Sequence, residues 1–273
     1  MKHAGRVAFV GAGPGQADLI TLRGAERLRT ADVVLFDSLA DPTLRQLAPN
    51  ARWIDVGKRG FTGVQHAGPE ARENAGQDAI NALLVKHASE GRRVVRLKGG
   101  DPSVFGRLEE ELEALAQAGI ECEVVPGVTA ALAAAAATQR PLTRRGSGRS
   151  VALTTAMTSD AVLRAGRHAD TESFYMAGKQ LAALSRRLIE AGWPAATPAL
   201  VVSRAGWSDE IATEHRVATL GNATVLHAGR PTIVTVGVGA TAVGSAPPGI
   251  AIREEIDPPP ASAERSRTSA STP

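Results

Sequence analysis

The chain has one cysteine, Cys122, so it can build neither an intrachain disulfide nor a cysteine-based metal cluster. Set in Ile120-Glu121-Cys122-Glu123-Val124, that thiol reads as a packed structural group in a short strand. Aromatic residues are scarce too, at 3% of 273. That leaves the core to Val, Leu, Ile and Ala, and it removes the stacking surface that holds single-stranded nucleic acid. No segment approaches the roughly 20 apolar residues of a membrane span; the alanines at 133–137 are too few and too weakly hydrophobic. The opening residues, Met1-Lys2-His3-Ala4-Gly5-Arg6, lead straight into a short apolar strand, without the apolar stretch and small-residue cleavage site of a leader peptide. The expectation is a cytoplasmic protein that engages neither membrane nor nucleic acid.

Charge of one sign is not in large excess either. The formal net charge is +3, and 43% of the residues are apolar, as in ordinary globular proteins. The length leaves room for two domains, each with its own core. The distribution of charge says more than its sum. Arg140, Arg144, Arg145 and Arg149 fall within ten residues that contain no acid, and Arg92, Arg93, Arg96 and Lys98 form a second basic stretch. Such runs are ordinarily solvated faces. Their place beside glycine-rich loops gives them a second reading.

The first half alternates short β-branched runs with helical spacing. Strands are expected at 7–10, 32–36, 52–56, 93–97 and 121–125, with helices over 18–29, 77–90 and 108–118. Gly91 ends the middle helix. Alternation of this kind implies a mainly parallel sheet covered on both faces. Arg, Gly and Ser break the pattern at 144–150, which reads as a linker. A smaller α/β unit follows, with strands at 151–154, 173–175, 199–202, 216–219 and 232–236 and an amphipathic helix over 179–191. From about 244 the chain turns to Pro, Ser, Ala and charge without periodicity, the composition of a disordered tail. The division expected is 1–145, 146–243 and 244–273.

Three glycine loops each follow a strand of the first unit: Gly11-Ala12-Gly13-Pro14-Gly15, then Gly99-Gly100-Asp101-Pro102 leading to Phe105-Gly106-Arg107, then Pro126-Gly127-Val128-Thr129. The crevice at the carboxyl ends of strands in an open α/β sheet is where ligands bind. Three such loops at one edge imply a ligand lying close against the backbone, since glycine permits that approach. A nicotinamide dinucleotide fold is the rival, with Asp37 as its ribose-binding acid. It fails on detail, because Gln16 stands where the fingerprint needs Gly or Ala, and Pro14 removes an N–H from the phosphate cradle.

These loops, with Asp32-Val33-Val34-Leu35-Phe36-Asp37, Val56-Gly57-Lys58-Arg59 and Arg93-Val94-Val95-Arg96-Leu97-Lys98, resemble the successive signatures of the tetrapyrrole methylase family over about residues 6–239. Val104-Phe105-Gly106-Arg107 and Phe174-Tyr175-Met176 are similar to its uroporphyrinogen-III C-methyltransferase branch. The resemblance implies a two-domain α/β fold, with a parallel sheet in the N-terminal domain, a smaller mixed sheet in the C-terminal domain, and the active site in the cleft between them. It implies S-adenosylmethionine as methyl donor, S-adenosylhomocysteine as its product, a tetrapyrrole acceptor and a homodimer. The positions matching the family's cofactor contacts are Pro14, Gly99, Gly100, Asp101, Val104, Thr129, Ala130, Met176 and Ala205. On its own chemistry Thr129 is equally a plain helix N-cap, and Met176 is more often core filler than a ligand contact.

The reaction so implied is methylation of uroporphyrinogen III at ring carbons 2 and 7, giving precorrin-2. No metal is called for, because the cofactor already brings the electrophile. Asp37 and Lys58 match the positions of base and acid, although Asp37 could close a turn and Lys58 could hold a carboxylate as a point charge. The acceptor's eight carboxylates give Arg59, Arg96, Arg107, Arg144, Arg145 and Arg149 a task as bidentate partners. The chain departs from the family where it reads Asp37-Ser38-Leu39 for Asp-Arg-Leu, Arg107-Leu108 for Arg-Gly, and Thr143-Arg144-Arg145-Gly146 for Thr-His-Arg-Gly. A methylase of another precorrin is the alternative those departures raise.

Overall fold

The computed structural model describes residues 5–57, 76–156, 163 and 165–244. Lys58, Arg59, the residues that follow as far as 75 and everything past Gly244 lie outside the described residues. Five strands make the first sheet: β1 (Arg6–Gly11), β2 (Val33–Phe36), β3 (Arg52–Asp55), β4 (Arg93–Lys98) and β5 (Cys122–Val125). Their order is β3-β2-β4-β1-β5, and every pairing is parallel. A parallel sheet needs crossover cover on both faces, and alternate residues of each strand supply it. Val7, Phe9, Val33, Leu35 and Val94 pack with Leu84 of helix α2 (Gln77–Ser89) and Leu115 of helix α3 (Leu108–Gln117) on one face. On the other, Ala8, Val10, Val34, Val95 and Leu97 pack with Leu28 of helix α1 (Leu22–Arg29).

This two-sided arrangement opens the site. β1 and β4 are neighbours, yet the chain leaves β1 for a helix on one face and leaves β4 for a helix on the other. Where adjacent connections part to opposite faces, a crevice forms at the carboxyl ends of the strands.

The second sheet is mixed: β6 (Val151–Thr155), β7 (Thr171–Tyr175), β10 (Thr232–Gly237), β8 (Pro198–Ser203) and β9 (Ile211–Arg216), in that order, with only β6 and β7 parallel. Helix α5 (Leu181–Glu190) buries Leu181, Leu184 and Leu188 on one face, at helical spacing, against Phe174, Val201 and Val234. The opposite face receives helix α4 (Ala130–Ala137). Ala131, Ala133 and Ala134 lie against Tyr175, Leu200, Val202 and Ile233. Alanine side chains let this helix sit close on the sheet, so a helix that follows the first sheet in sequence packs on the second. No helix among the described residues is long and apolar enough to cross a membrane.

Three expectations are corrected. The helix expected over 18–29 starts at Leu22, because the Thr21 hydroxyl caps it by accepting from the Gly24 N–H at 3.1 Å; Ala17–Leu19 is a separate 3-10 turn. The strand expected at 216–219 is a 3-10 helix, Val217–Ala223, and the strand is the preceding Ile211–Arg216. Cys122 is exposed, not packed, because β5 is the edge of its sheet. The stretch expected as a linker does connect α4 to β6 without helix or strand, and it is held by hydrogen bonds: the Arg144 N–H donates to the Gly148 carbonyl at 2.8 Å, and Ser150 donates to Asp170 through hydroxyl and amide.

Candidate functional site

The three glycine loops meet backbone to backbone. Gly13 and Gly100 exchange hydrogen bonds, 3.3 Å in one direction and 2.7 Å in the other. A Cβ on Gly127 would lie 2.3 Å from the Gly100 oxygen and 2.8 Å from Gly11 Cα. Gly11 and Gly127 are therefore glycines because the chain itself passes there, not because a ligand does. Gly100 differs. Its φ is +71°, and a Cβ there would meet nothing nearer than 3.9 Å. Asp101 ties two of the loops together, its two oxygens accepting from the Ser103 N–H at 2.8 Å and the Gly127 N–H at 2.9 Å.

The second half closes over this edge at two places. Gln16 N–H donates to the Gly206 carbonyl at 2.8 Å, and Trp207 Nε1–H donates to the Pro14 carbonyl at 2.9 Å. A Cβ on Gly15 would collide with Gly206, so that approach requires glycine. The loop after β1 is thus spent on holding the second half, and α1 begins well beyond it, which leaves no helix N-terminus to cradle a pyrophosphate. At the other place the Thr129 hydroxyl and the Tyr175 hydroxyl bond at 2.7 Å. Thr129 occupies the N-cap position of α4 but makes no side-chain cap. Burial pushes the Tyr175 phenol up from its ordinary value, with the Thr129 bond working against that.

Between these contacts lies a cleft of about 380 Å³. Pro14, Gly99, Gly100, Asp101, Val104, Thr129, Ala130, Met176 and Ala205 all line it, as do Asp37, Arg96 and Arg107. Backbone strain gathers here: of five non-glycine residues with left-handed φ among the described residues, Phe105, Arg107, Met176 and Arg204 line the cleft. Each such residue costs about 1–2 kcal/mol that surrounding contacts must hold. Phe105 is 42% exposed and packs its ring 5.0 Å from that of Tyr175.

Asp37 sits just past the end of β2. One oxygen accepts from the Leu39 N–H at 3.0 Å and the other faces the Gly99 N–H at 3.4 Å, so it does close a turn and still lines the cleft. The expected arginines separate. Arg107 donates to Glu110 at 2.7 Å and is half exposed at the mouth. Arg96 is turned inward, 2.8 Å from Glu111. Arg144 reaches the backbone carbonyls of Thr241 and Ala242 and does not line the cleft; nor do the exposed Arg145 and Arg149. Residues that sequence did not single out for the site also line it: Lys98, Phe105, Tyr175, Arg204 and Trp207. Glu111, which no motif had placed in the site, is buried behind Arg96 and Lys98.

The cleft suits a nucleoside with a charged, amino-acid-like end. Val104, Ala130, Met176 and Ala205 give aliphatic walls, and Gly100 leaves open space over its Cα. Both Asp101 oxygens retain a lone pair for an ammonium group after their backbone bonds.

The family model of the Tetrapyrrole (Corrin/Porphyrin) Methylases matches residues 6–223. A uroporphyrinogen-III C-methyltransferase of Pseudomonas aeruginosa is 42% identical over 209 residues, 74% of this chain and 80% of that protein. Siroheme synthase 1 of Pectobacterium atrosepticum is 46% identical over 214 residues, 76% of this chain but 42% of that protein, so the chain spans less than half of it. Among solved structures, a uroporphyrin-III C-methyltransferase from Thermus thermophilus complexed with S-adenyl homocysteine superposes with a TM-score of 0.72 at 33% identity, covering 86% of this chain and 98% of that one.

Proposed function

The chain belongs to the tetrapyrrole (corrin/porphyrin) methylases, and on that premise we propose that it methylates uroporphyrinogen III twice, at ring carbons 2 and 7, to give precorrin-2. It is an S-adenosylmethionine-dependent methyltransferase. The observation that carries the specific reading is the cleft itself. All nine positions matched to cofactor contacts line it, together with Asp37 and the cations Arg96, Lys98 and Arg107.

When bound, the cofactor supplies an electrophilic methyl carried on a positively charged sulfur. The chain's part is alignment, which is worth roughly 7–11 kcal/mol of barrier when donor and acceptor are well oriented. Gly100 and Asp101 hold the amino-acid end at the edge of the first sheet, while Val104, Ala130, Met176 and Ala205 enclose the nucleoside. Asp37, at the carboxyl end of β2, accepts the proton that the macrocycle releases once its ring carbon is alkylated, as general base. Lys58 is assigned the matching acid and lies outside the described residues. Arg107, at the mouth, meets acceptor carboxylates; Arg144, Arg145 and Arg149, away from the cleft, are withdrawn from that role. A homodimer accompanies this reading.

A methylase of another precorrin is the second reading, favoured by Ser38, which lines the cleft where the family usually carries arginine. The two are separated by anaerobic incubation with S-adenosylmethionine and freshly generated uroporphyrinogen III, followed by product mass. Two methyl groups per macrocycle, lost in Asp37→Ala, is the expected outcome. Cofactor binding without methylation sinks the acceptor assignment and leaves the second reading.

A further inference from the structure

Lys98 has no place in the reaction as described, and it is only 4% exposed although it lines the cleft. It ends β4. The β2–β4 register pairs Leu35 with Arg96 and Phe36 with Leu97, so one residue further Asp37 and Lys98 stand side by side where the strands end. Side chains alternate along a strand, which puts Asp37, Arg96 and Lys98 on the face that packs against α3. From that helix comes Glu111, fully buried. One of its oxygens accepts from Arg96 Nε at 2.8 Å, and the other from Lys98 Nζ. A Cβ on Gly106 would come within 3.0 Å of Lys98 Cε, so the Phe105–Arg107 loop lies directly on the lysine's stem.

A carboxylate between two buried cations leaves one positive charge over, and burying an unbalanced charge costs several kcal/mol. Asp37 is the anion that the register sets beside it. The balance is visible in Lys98: burial and Arg96 pull its pKa down, while Glu111 and Asp37 hold it up.

We infer that Lys98 is a positioning residue for the methyl-transfer step, pinned by Glu111 so that its buried positive charge stands beside the Asp37 carboxylate, which the Leu39 and Gly99 N–H groups hold at the cleft. It does not itself hold the acceptor, because turning the ammonium to a ligand would strip Glu111 of a partner inside the protein. The inference rests on reading Asp37 as the base.

The test compares Lys98→Met and Lys98→Arg with the unaltered protein in steady-state kinetics on uroporphyrinogen III, beside S-adenosylhomocysteine titration. Lys98→Gln, which keeps a donor for Glu111, serves if the methionine variant does not fold. In Lys98→Met, kcat falls about 10- to 100-fold, part of what a well-placed base contributes, while acceptor KM and cofactor affinity stay within about twofold. Arginine restores most of the loss. A raised acceptor KM with unchanged kcat overturns the inference and makes Lys98 a substrate contact. A urea double-mutant cycle of Lys98→Met with Asp37→Asn needs no acceptor: the double variant's midpoint lies above the value expected from adding the single losses. Additive midpoints overturn the inference. If the unaltered protein leaves uroporphyrinogen III unmethylated, the acceptor reading fails alone and this cycle still decides for Lys98.

Discussion

Gly127 and Gly100 should fail in different ways when each is changed to alanine. At Gly127 the new Cβ falls 2.3 Å from the Gly100 oxygen and 2.8 Å from Gly11 Cα. Both obstacles are backbone, so no side chain can swing aside. The Cβ–oxygen gap is about 1 Å short of ordinary contact, and the loops after β1, β4 and β5 must part. Overpacking of this kind costs up to about 3 kcal/mol, and at this chain length that lowers Tm by roughly 6–12 °C. At Gly100 the methyl meets nothing nearer than 3.9 Å. The cost there is the left-handed backbone alone, about 1–2 kcal/mol, with the methyl standing in the cleft. Differential scanning fluorimetry with and without S-adenosylhomocysteine separates the two. Gly127→Ala melts well below the unaltered protein before any ligand is added. Gly100→Ala melts closer to it but loses the ligand-induced rise in Tm, which tracks affinity. An unchanged melting point in Gly127→Ala would refute the loop contact, and an undiminished ligand response in Gly100→Ala would refute the cofactor's position.

Three further outcomes follow from the same geometry. Glu111→Ala leaves Arg96 and Lys98 buried without their anion, and breaking a buried pair costs about 3–5 kcal/mol, read as a lowered urea midpoint at any salt concentration. Thr129→Val removes the 2.7 Å partner of the Tyr175 hydroxyl, leaving it only the Ala131 N–H at 3.4 Å, and costs about 1–3 kcal/mol, part of it recovered when Tyr175→Phe is added, because the under-bonded hydroxyl is then gone. Burial holds His87, His215 and His227 below the ordinary histidine value. Each takes up a proton on unfolding, so their share of stability is complete above about pH 6.5 and is lost as pH falls below it, by up to about 1.4 kcal/mol per unit and group. Melting curves between pH 7.5 and 5.5 should show the fall, and His227→Gln should shallow it.

Most of the first sheet was legible because its strands are buried on both faces and read as unbroken β-branched runs, Val33-Val34-Leu35 and Val94-Val95 among them. Boundaries were misread where a single side chain decides them. Thr21 sets the start of α1, and its place before Leu22 was a usable signal. β9 was misplaced for a different reason. Ile-Ala-Thr-Glu-His-Arg alternates half-buried with exposed positions and has one large apolar residue, so its pattern is weak, whereas Val217 and Leu220 look strand-like yet pack from a 3-10 turn.

The site was legible where it is made of loops and illegible where it is made of charge. A loop motif carries its geometry in consecutive residues, so the Gly99-Gly100-Asp101 turn shows in the spacing, while its match to cofactor contacts is what the family resemblance implies. An arginine's task depends on which anion the fold brings to it. Arg96 and Arg144 look alike in sequence, one in each basic stretch. Arg96 is committed to Glu111, fifteen residues away across the β4–α3 connection, and Arg144 to the carbonyls of Thr241 and Ala242, almost a hundred residues away. Neither distance leaves a trace in local pattern. Arg107 departs from the family only in the Leu108 that follows it, and that leucine packs toward the core while Glu110 and Glu111 stay placed to pair with Arg107, Arg96 and Lys98. The Leu108 departure therefore leaves the charges around it paired. Ser38 is then the departure with most consequence, since of Ser38, Leu108 and Arg144 it alone lines the cleft. Restoring arginine there should tighten the acceptor KM without moving cofactor affinity.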